Sequence, residues 1–393
     1  MAISKKIDSF MTKASWIRKM FEEGIRMKQE VGADKVFDFS LGNPIMEPPE
    51  PCRRALQELA QNPPAGLHRY MSNAGHPEVR ARVAEYLSAE TGAALEADDV
   101  IMSCGAGGAL NVALKAILDP GDQVVVVAPF FPEYRFYADN HGGELVVAES
   151  AEDFDLDLGE LERVIGPRTK VLILNSPNNP TGRMCSAARL KELGDLLARK
   201  EKEANRTITI LSDDPYRKIV FDGAKAPPIF DAHPNTILIT SHSKDLGLAG
   251  ERIGFAAIGP AHRDRQPLRD AMTFTNRTLG FVNAPSLFQH VAAQNQSASV
   301  PVAEYQKLRD IFCDGLDRAG LQYIRPQGAF YLFPKTPSDD DLAFVRALQK
   351  NYILAVPGTG FGRGGHIRLS FCVTQKEIEG ALLGIKKAVE ELK

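Results

Sequence analysis

Six short apolar runs, each separated from the next by a turn or a helical stretch, restrict the folding of this chain more than any other feature. They occupy residues 100–103, 123–128, 170–175, 207–212, 236–241 and 253–258. Most are apolar throughout rather than alternating. That is the pattern of strands covered on both faces, as in a parallel sheet. Helical stretches at 107–118, 133–140 and 187–204 lie between them, and Asp119-Pro120-Gly121-Asp122 forms the turn after the first. The rhythm predicts a layered α/β domain with right-handed crossovers. The connection 244–252 is too short for a crossover helix, so the last two runs predict a hairpin and one antiparallel strand.

The C-terminal third reads differently. A helical pattern at 286–315 leads to short strands near 322–324, 329–333, 353–356 and 366–371. The final helix opens with a capping box, Thr374 and Glu377. Its apolar residues Ile378, Leu382, Ile385, Val389 and Leu392 share one face. This grouping predicts a smaller α+β domain. The Gly- and Pro-rich segment 38–49 reads as an ordered connector.

A chain of 393 residues is long for one core. With 47 basic and 50 acidic residues the net charge is −3, so no general attraction to nucleic acid is expected. No apolar stretch reaches the roughly 18 residues of a membrane span. The five cysteines (52, 104, 185, 313 and 372) are widely spaced, with no C-x-x-C pair, which argues against metal binding and for reduced thiols in a cytoplasmic setting. The first 24 residues lack the apolar core of a secretory signal, and Asp8, Glu22 and Glu23 argue against a transit peptide; a surface helix is expected.

Four segments at or just after predicted strands bear chemistry. In open α/β sheets ligands bind at the carboxyl ends of strands, so these segments can converge. Ser103-Cys104-Gly105-Ala106-Gly107-Gly108 precedes a helix, where free N–H groups can hold an anion. Leu110 breaks a dinucleotide fingerprint, and alone the segment is a tight turn. Asn175-Ser176-Pro177-Asn178-Asn179-Pro180-Thr181-Gly182 is, alone, an Asn/Pro turn. Asp213, in Ser212-Asp213-Asp214-Pro215-Tyr216, is either a helix cap or a carboxylate awaiting a cation. Finally, Ser241-His242-Ser243-Lys244 is followed by a glycine-spaced loop and Arg252. A desolvated lysine can form a Schiff base, and an arginine fork suits phosphate. An exposed lysine in a polar loop is the plainer alternative.

Taken together and in order, N-P-T-G, D-x-x-Y and S-x-S-K with an arginine eight residues on resemble the class I/II pyridoxal-phosphate aminotransferases. The likeness runs from Ser40-Leu41-Gly42 to Arg368-Leu369-Ser370-Phe371. It implies fold type I: a large domain with a mostly parallel seven-stranded sheet between helices, plus a smaller α+β domain. The implied division is an N-terminal arm, 1–45, joining the small domain, a large cofactor domain, 46–285, and a small C-terminal domain, 286–393. It further implies a homodimer with shared sites.

The resemblance also implies roles. Lys244 would hold pyridoxal 5'-phosphate as a Schiff base and move the substrate proton. Asp213 would face the pyridine nitrogen, and Asn179 and Tyr216 the phenolic oxygen. Ser241, Arg252 and the backbone of Ala106 and Gly107 would hold the phosphate, with Tyr70 reaching the neighbouring subunit's phosphate. Phe131 would stack on the ring, where many relatives carry Trp or Tyr. Arg368, aided by Gly42, with Asn179 beside them, would grip the substrate α-carboxylate.

The implied activity is amino transfer between an L-amino acid and a 2-oxo acid, 2-oxoglutarate being the expected acceptor. No lysine occupies the phosphate loop to read a side-chain carboxylate. Arg277, ahead of Phe281-Val282-Asn283-Ala284-Pro285, is a candidate for that task from the partner subunit, and a solvated surface arginine is the alternative. Aspartate, aromatic and neutral donors stay open. So does another Cα-carbanion reaction on the same cofactor, such as C–S lysis, cyclopropane formation or decarboxylation. A DNA-binding regulator lacks a basic module before Ser40. A nicotinamide dehydrogenase lacks its fingerprint. His242 is expected to pack beneath the cofactor.

Overall fold

The computed structural model describes residues 2–12 and 16–392. Its centre is a seven-stranded sheet made of β2 (Val100–Ser103), β3 (Gln123–Ala128), β4 (Glu144–Glu149), β5 (Thr169–Leu174), β6 (Thr209–Asp213), β7 (Thr236–Ser241) and β8 (Gly254–Ile258). The order across the sheet is β2-β8-β7-β6-β5-β3-β4. β8 runs antiparallel to both neighbours, and every other pairing is parallel. The short connection after β7 therefore produces the one reversed strand, as expected.

Neighbouring residues on each strand enter different cores. Val125, Leu172, Ile210 and Leu238 join one apolar cluster, while Val124, Val171, Leu211 and Ile237 join another. Both faces of the sheet are covered, which is why the runs are apolar without alternation. β4 escaped the sequence reading for the same reason in reverse. It is an edge strand, and Glu144 and Glu149 at its ends are exposed.

α5 (Gly105–Ile117) follows β2, α6 (Glu133–Asn140) follows β3, α7 (Leu158–Val164) follows β4 and α8 (Ala187–Ala204) follows β5, while α9 (His242–Asp245) is a single turn after β7 and α13 (Asp341–Lys350) lies in the C-terminal third. In the C-terminal third the expected helix 286–315 is two helices, α11 (Ser286–Gln294) and α12 (Val302–Ala319). Pro301 closes the gap between them and cannot donate into a continuous helix. α11 packs against α3 (Glu50–Gln61) and α4 (Pro77–Thr91), and its Val291 and Ala292 belong to a core of the central sheet. Residues 322–324 form no strand.

β9 (Tyr331–Leu332), β11 (Val356–Pro357) and β12 (Ile367–Ser370) make a three-stranded antiparallel sheet. β1 (Phe37–Asp38) pairs with β10 (Ile353–Leu354), which ties the chain's first strand to its last third. The expected strand 353–356 is thus split between two sheets. α14 (Gln375–Glu391) starts with the Thr374–Glu377 capping box, and its Ile378, Ile385 and Val389 are buried. α1 (Lys5–Thr12) and α2 (Trp16–Val31) open the chain. Among the described residues no helix is long and apolar enough to cross a membrane.

Candidate active site

The carboxyl ends of β5, β6 and β7 and the start of α5 face a cavity of about 300 Å³. The loop after β1 and strands β9 and β12 close it from the other side. Of the residues singled out from the sequence for the site, Gly42, Ala106, Gly107, Phe131, Asn179, Asp213, Tyr216, Ser241, Lys244, Arg252 and Arg368 line it, and Tyr70, His242 and Arg277 do not.

One wall is an anion cup. Gly105 opens α5 with φ of +74°, a conformation that suits glycine. A Cβ there would also come within 2.9 Å of the Arg252 guanidinium. Arg252 itself is in the left-handed region (φ 53°), and one arm donates to Ala249 O at 3.1 Å. The first N–H groups of α5, at Ala106 and Gly107, have no intrahelical acceptor. Together with Arg252 and the buried hydroxyl-bearing Ser241 at the end of β7, they make a site for a phosphate-sized anion.

The floor carries an acid. Asp213 ends β6, where the backbone cannot be solvated, and it is buried. Its Oδ2 accepts from Tyr134 Oη at 2.6 Å, and its Oδ1 is buried without a partner. Burial pushes this carboxyl up to about 7, against the pull of the Tyr134 hydrogen bond, with Asp214 adding to the rise. Asn175, just past β5, locks the geometry: its Nδ2 donates to Asp213 O at 2.7 Å and its Oδ1 accepts from Asn179 N at 2.7 Å. Tyr216 meets Tyr331, hydroxyl to hydroxyl, at 3.0 Å.

Lys244 sits in a single helical turn after β7. Its Nζ donates to Gly42 O at 2.7 Å and lies 5.4 Å from the Phe330 ring centroid. Desolvation lowers the amine to about 8, and the cations Arg368 and Arg252 push in the same direction. Arg368, on β12, is almost wholly buried. Its Nη1 donates to Asn179 Oδ1 at 3.0 Å, and its guanidinium carbon lies 4.6 Å from the Tyr331 ring centroid and 4.8 Å from that of Phe361. Its Nε is buried and unpartnered. A buried guanidinium with no carboxylate among its hydrogen-bond partners is arranged for an incoming one.

Tyr70 and Arg277 stand apart. Tyr70 is 93% exposed, and Arg277 is exposed on α10 (Arg265–Thr278), its guanidinium carbon 5.3 Å from the centroid of Phe274, which is also exposed. His242 is buried but does not line the cavity; its ring packs against Phe255, its Nδ1 lies 3.2 Å from Asp245 and its Nε2 3.2 Å from the Gln296 amide.

Sequence reasoning missed Tyr134, Tyr137, Asn175 and Tyr331 as cavity residues. Tyr134 follows Phe131 by three places, the spacing that puts two side chains on one side of a helical turn, and their rings meet edge to face at 5.6 Å. Asn175 carried no signal beyond its place at a strand end.

Comparison with known proteins settles the family. A sequence profile for aminotransferase class I and II matches residues 34–385. The chain belongs to this family. It is 32% identical to the aspartate/prephenate aminotransferase of Thermus thermophilus over 352 residues, 87% of this chain and 88% of that one. It is 28% identical to aromatic-amino-acid aminotransferase 2 of Thermococcus litoralis, with both chains fully covered. A crystal structure of an aminotransferase from Eubacterium rectale superimposes with a TM-score of 0.96 at 36% identity, covering all of both chains. The aspartate aminotransferase of Thermus thermophilus with maleate superimposes at 0.86 and 29% identity over 99% of this chain and all of that one. The aminotransferase reaction, the α/β architecture and the mostly parallel seven-stranded sheet are thus those of the family.

Proposed function

We propose that this aminotransferase moves an amino group between an L-amino acid and a 2-oxo acid, with 2-oxoglutarate as acceptor, and that it uses pyridoxal 5'-phosphate. One observation carries the reading: a lysine amine lowered to about 8, an acid with an unpartnered buried oxygen and an anion cup open on one cavity. The residues fit that cofactor. The cup formed by Ala106, Gly107, Ser241 and Arg252 suits its phosphate. The orphaned Oδ1 of Asp213 suits a protonated ring nitrogen, and Lys244 Nζ suits its aldehyde carbon. Tyr216 and Asn179 suit its phenolic oxygen, and Phe131 the face of its ring.

Bound there, the cofactor supplies the electron sink that makes the Cα proton of an amino acid removable near neutral pH. The chain does the rest. Arg368, with Gly42 and Asn179 beside it, holds the substrate carboxylate and so fixes Cα. Lys244 Nζ, with its lowered pKa, takes the proton from that carbon and returns it. Asp213 would supply the negative charge for a protonated ring nitrogen, and the Tyr134 hydroxyl, donating to it at 2.6 Å, fixes its orientation.

We assign Tyr70 and Arg277 to the partner's cavity in a homodimer. Their exposure on one chain, together with exposed Phe274, supports this, and Arg277 then reads a side-chain carboxylate. The names of the relatives, aspartate, prephenate and aromatic-amino-acid aminotransferases, support an aspartate or aromatic donor. The division we propose is arm, 1–45, large domain, 46–285, and small domain, 286–393, with α11 resting on the large one. Five free cysteines suit the cytoplasm. A panel of amino donors against 2-oxoglutarate, pyruvate and oxaloacetate tests the reading. Product release from a donor without any need for a 2-oxo acid would replace it with lyase chemistry.

A further inference from the structure

Away from the cavity, two histidines and a glutamate converge where the start of α4 meets α11. His76 caps α4, Glu78 lies in its first turn and His290 is on α11. One ligand atom from each of the three can be chosen so that all lie within 4.8 Å of one another. His76 Nδ1 is 3.8 Å from Glu78 Oε1, and the two imidazole centroids are 4.7 Å apart. On a tetrahedral zinc, with bonds near 2.1 Å, two ligand atoms lie about 3.4 Å apart. Glu78 is exposed and His290 half-buried, so small side-chain rotations can close the remaining gap.

The hydrogen bonds around His76 decide which of its nitrogens is available. Ser286 Oγ donates to Leu67 O at 2.5 Å, so its own proton is committed. His76 Nε2, 2.9 Å from that same Oγ, must therefore be the donor. In the neutral ring this leaves the lone pair on Nδ1, the nitrogen nearest Glu78 Oε1. In that form two acceptors face each other at 3.8 Å, a spacing that a shared cation fits. The Ser286 contact is also the outer-shell bond by which metal-binding histidines are held in one tautomer. Arg82, one turn along α4 from Glu78, is the opposing charge in this neighbourhood. It disfavours any cation held by imidazoles alone and makes the carboxylate essential.

We propose that His76, Glu78 and His290 form a zinc site, with a fourth position open to water. The ligand set, two neutral imidazoles and one carboxylate, is a zinc-type donor set. The segment it anchors is the one that carries Tyr70. His76 N donates to Gln289 Oε1 at 3.0 Å, and Asn283 Nδ2 donates to Ser72 O at 2.7 Å, so residues 67–76 already lean on the stretch that includes α11. A metal across α4 and α11 would staple that lean.

The proposal is independent of the transaminase reading. Untagged holoenzyme, stripped of metal by dialysis against a chelator, is titrated with zinc chloride in competition with a chromophoric chelator. One zinc per chain is expected. His290→Gln should weaken binding at least tenfold, and Ser286→Ala, which frees the tautomer without removing a ligand, by about 10- to 100-fold. Cobalt(II) should give a visible absorption band that the His76→Gln, His290→Gln double variant lacks. Unchanged aminotransferase turnover in His290→Gln shows that the fold survives. Zinc affinity and stoichiometry equal in wild type and His290→Gln would overturn the site, as would the same cobalt spectrum in wild type and the double variant.

Discussion

Lys244 Nζ donates a hydrogen bond to the carbonyl oxygen of Gly42, 202 residues earlier in the chain, at 2.7 Å. A carbonyl accepts from an amine or an ammonium alike but cannot neutralise a charge. The contact therefore positions the amine without holding it in the charged form, and desolvation is free to lower it to about 8.

The first prediction concerns that amine. Only the neutral form attacks an aldehyde, so capture of pyridoxal phosphate by the cofactor-free protein should quicken as pH rises and level off above about 8. An ordinary lysine would place the midpoint near 10.5. Stopped-flow absorbance across pH 6–10 checks this, and borohydride should fix the label on Lys244. A midpoint near the ordinary value, or a label on another lysine, would refute the assignment.

Arg368→Ala should cost about 2–5 kcal/mol in kcat/KM for every amino and 2-oxo acid tested, because a buried charge pair loses one member. Arg368→Lys should recover only part of this, since an ammonium cannot present a planar fork. Steady-state kinetics decide. Equal KM values for wild type and Arg368→Ala would remove the residue from substrate binding.

Asp213 has its pKa raised in the fold, from 3.8 to about 7. Between those values the folded, cofactor-free state binds more protons than the unfolded one. Its stability therefore falls as pH rises through that window and is level above it. Asp213→Asn should abolish that part of the slope and make the cofactor-free protein more stable at pH 7.5 by a few kcal/mol, while turnover collapses. Thermal melts of both proteins from pH 5 to 8 give the difference. Parallel curves would mean that the carboxyl is not buried as described.

Tyr134→Phe should lower turnover about tenfold, the equivalent of the roughly 1.5 kcal/mol lost with a hydrogen bond to a charged group. The change leaves ring packing against Phe131 intact, so the loss should appear in kcat with the melting temperature barely moved. A variant that keeps full kcat would show that Tyr134 merely fills space.

Tyr70→Ala should weaken cofactor retention with little effect on folding, because the side chain touches almost nothing in its own chain. Mixed with inactive Lys244→Ala subunits, it should regain activity at limiting cofactor, since each hybrid dimer holds one site with both residues intact. Activity no higher than the average of the two parents would exclude a shared site.

The central sheet could be read from the chain because its strands are enclosed on both sides. Burial of Val124 and Val125 on opposite faces writes an unbroken apolar run, which no exposed segment would keep. The reversed strand β8 followed from the length of a connection. The motifs at 179, 213 and 244 each had a plainer local reading, as a turn, a cap and an exposed lysine, and were legible only in combination and order, as a resemblance to a family. The edge strand β4 was not legible, since half its surface meets water. Nor was the split at 353–357, where two adjacent pairs of residues choose partners in different sheets. Tertiary structure alone brought Asn175 under Asp213, aimed Tyr134 at that acid, and set the amine of Lys244 against Gly42. Each of these depends on distances between segments far apart in sequence, and no local propensity records such distances.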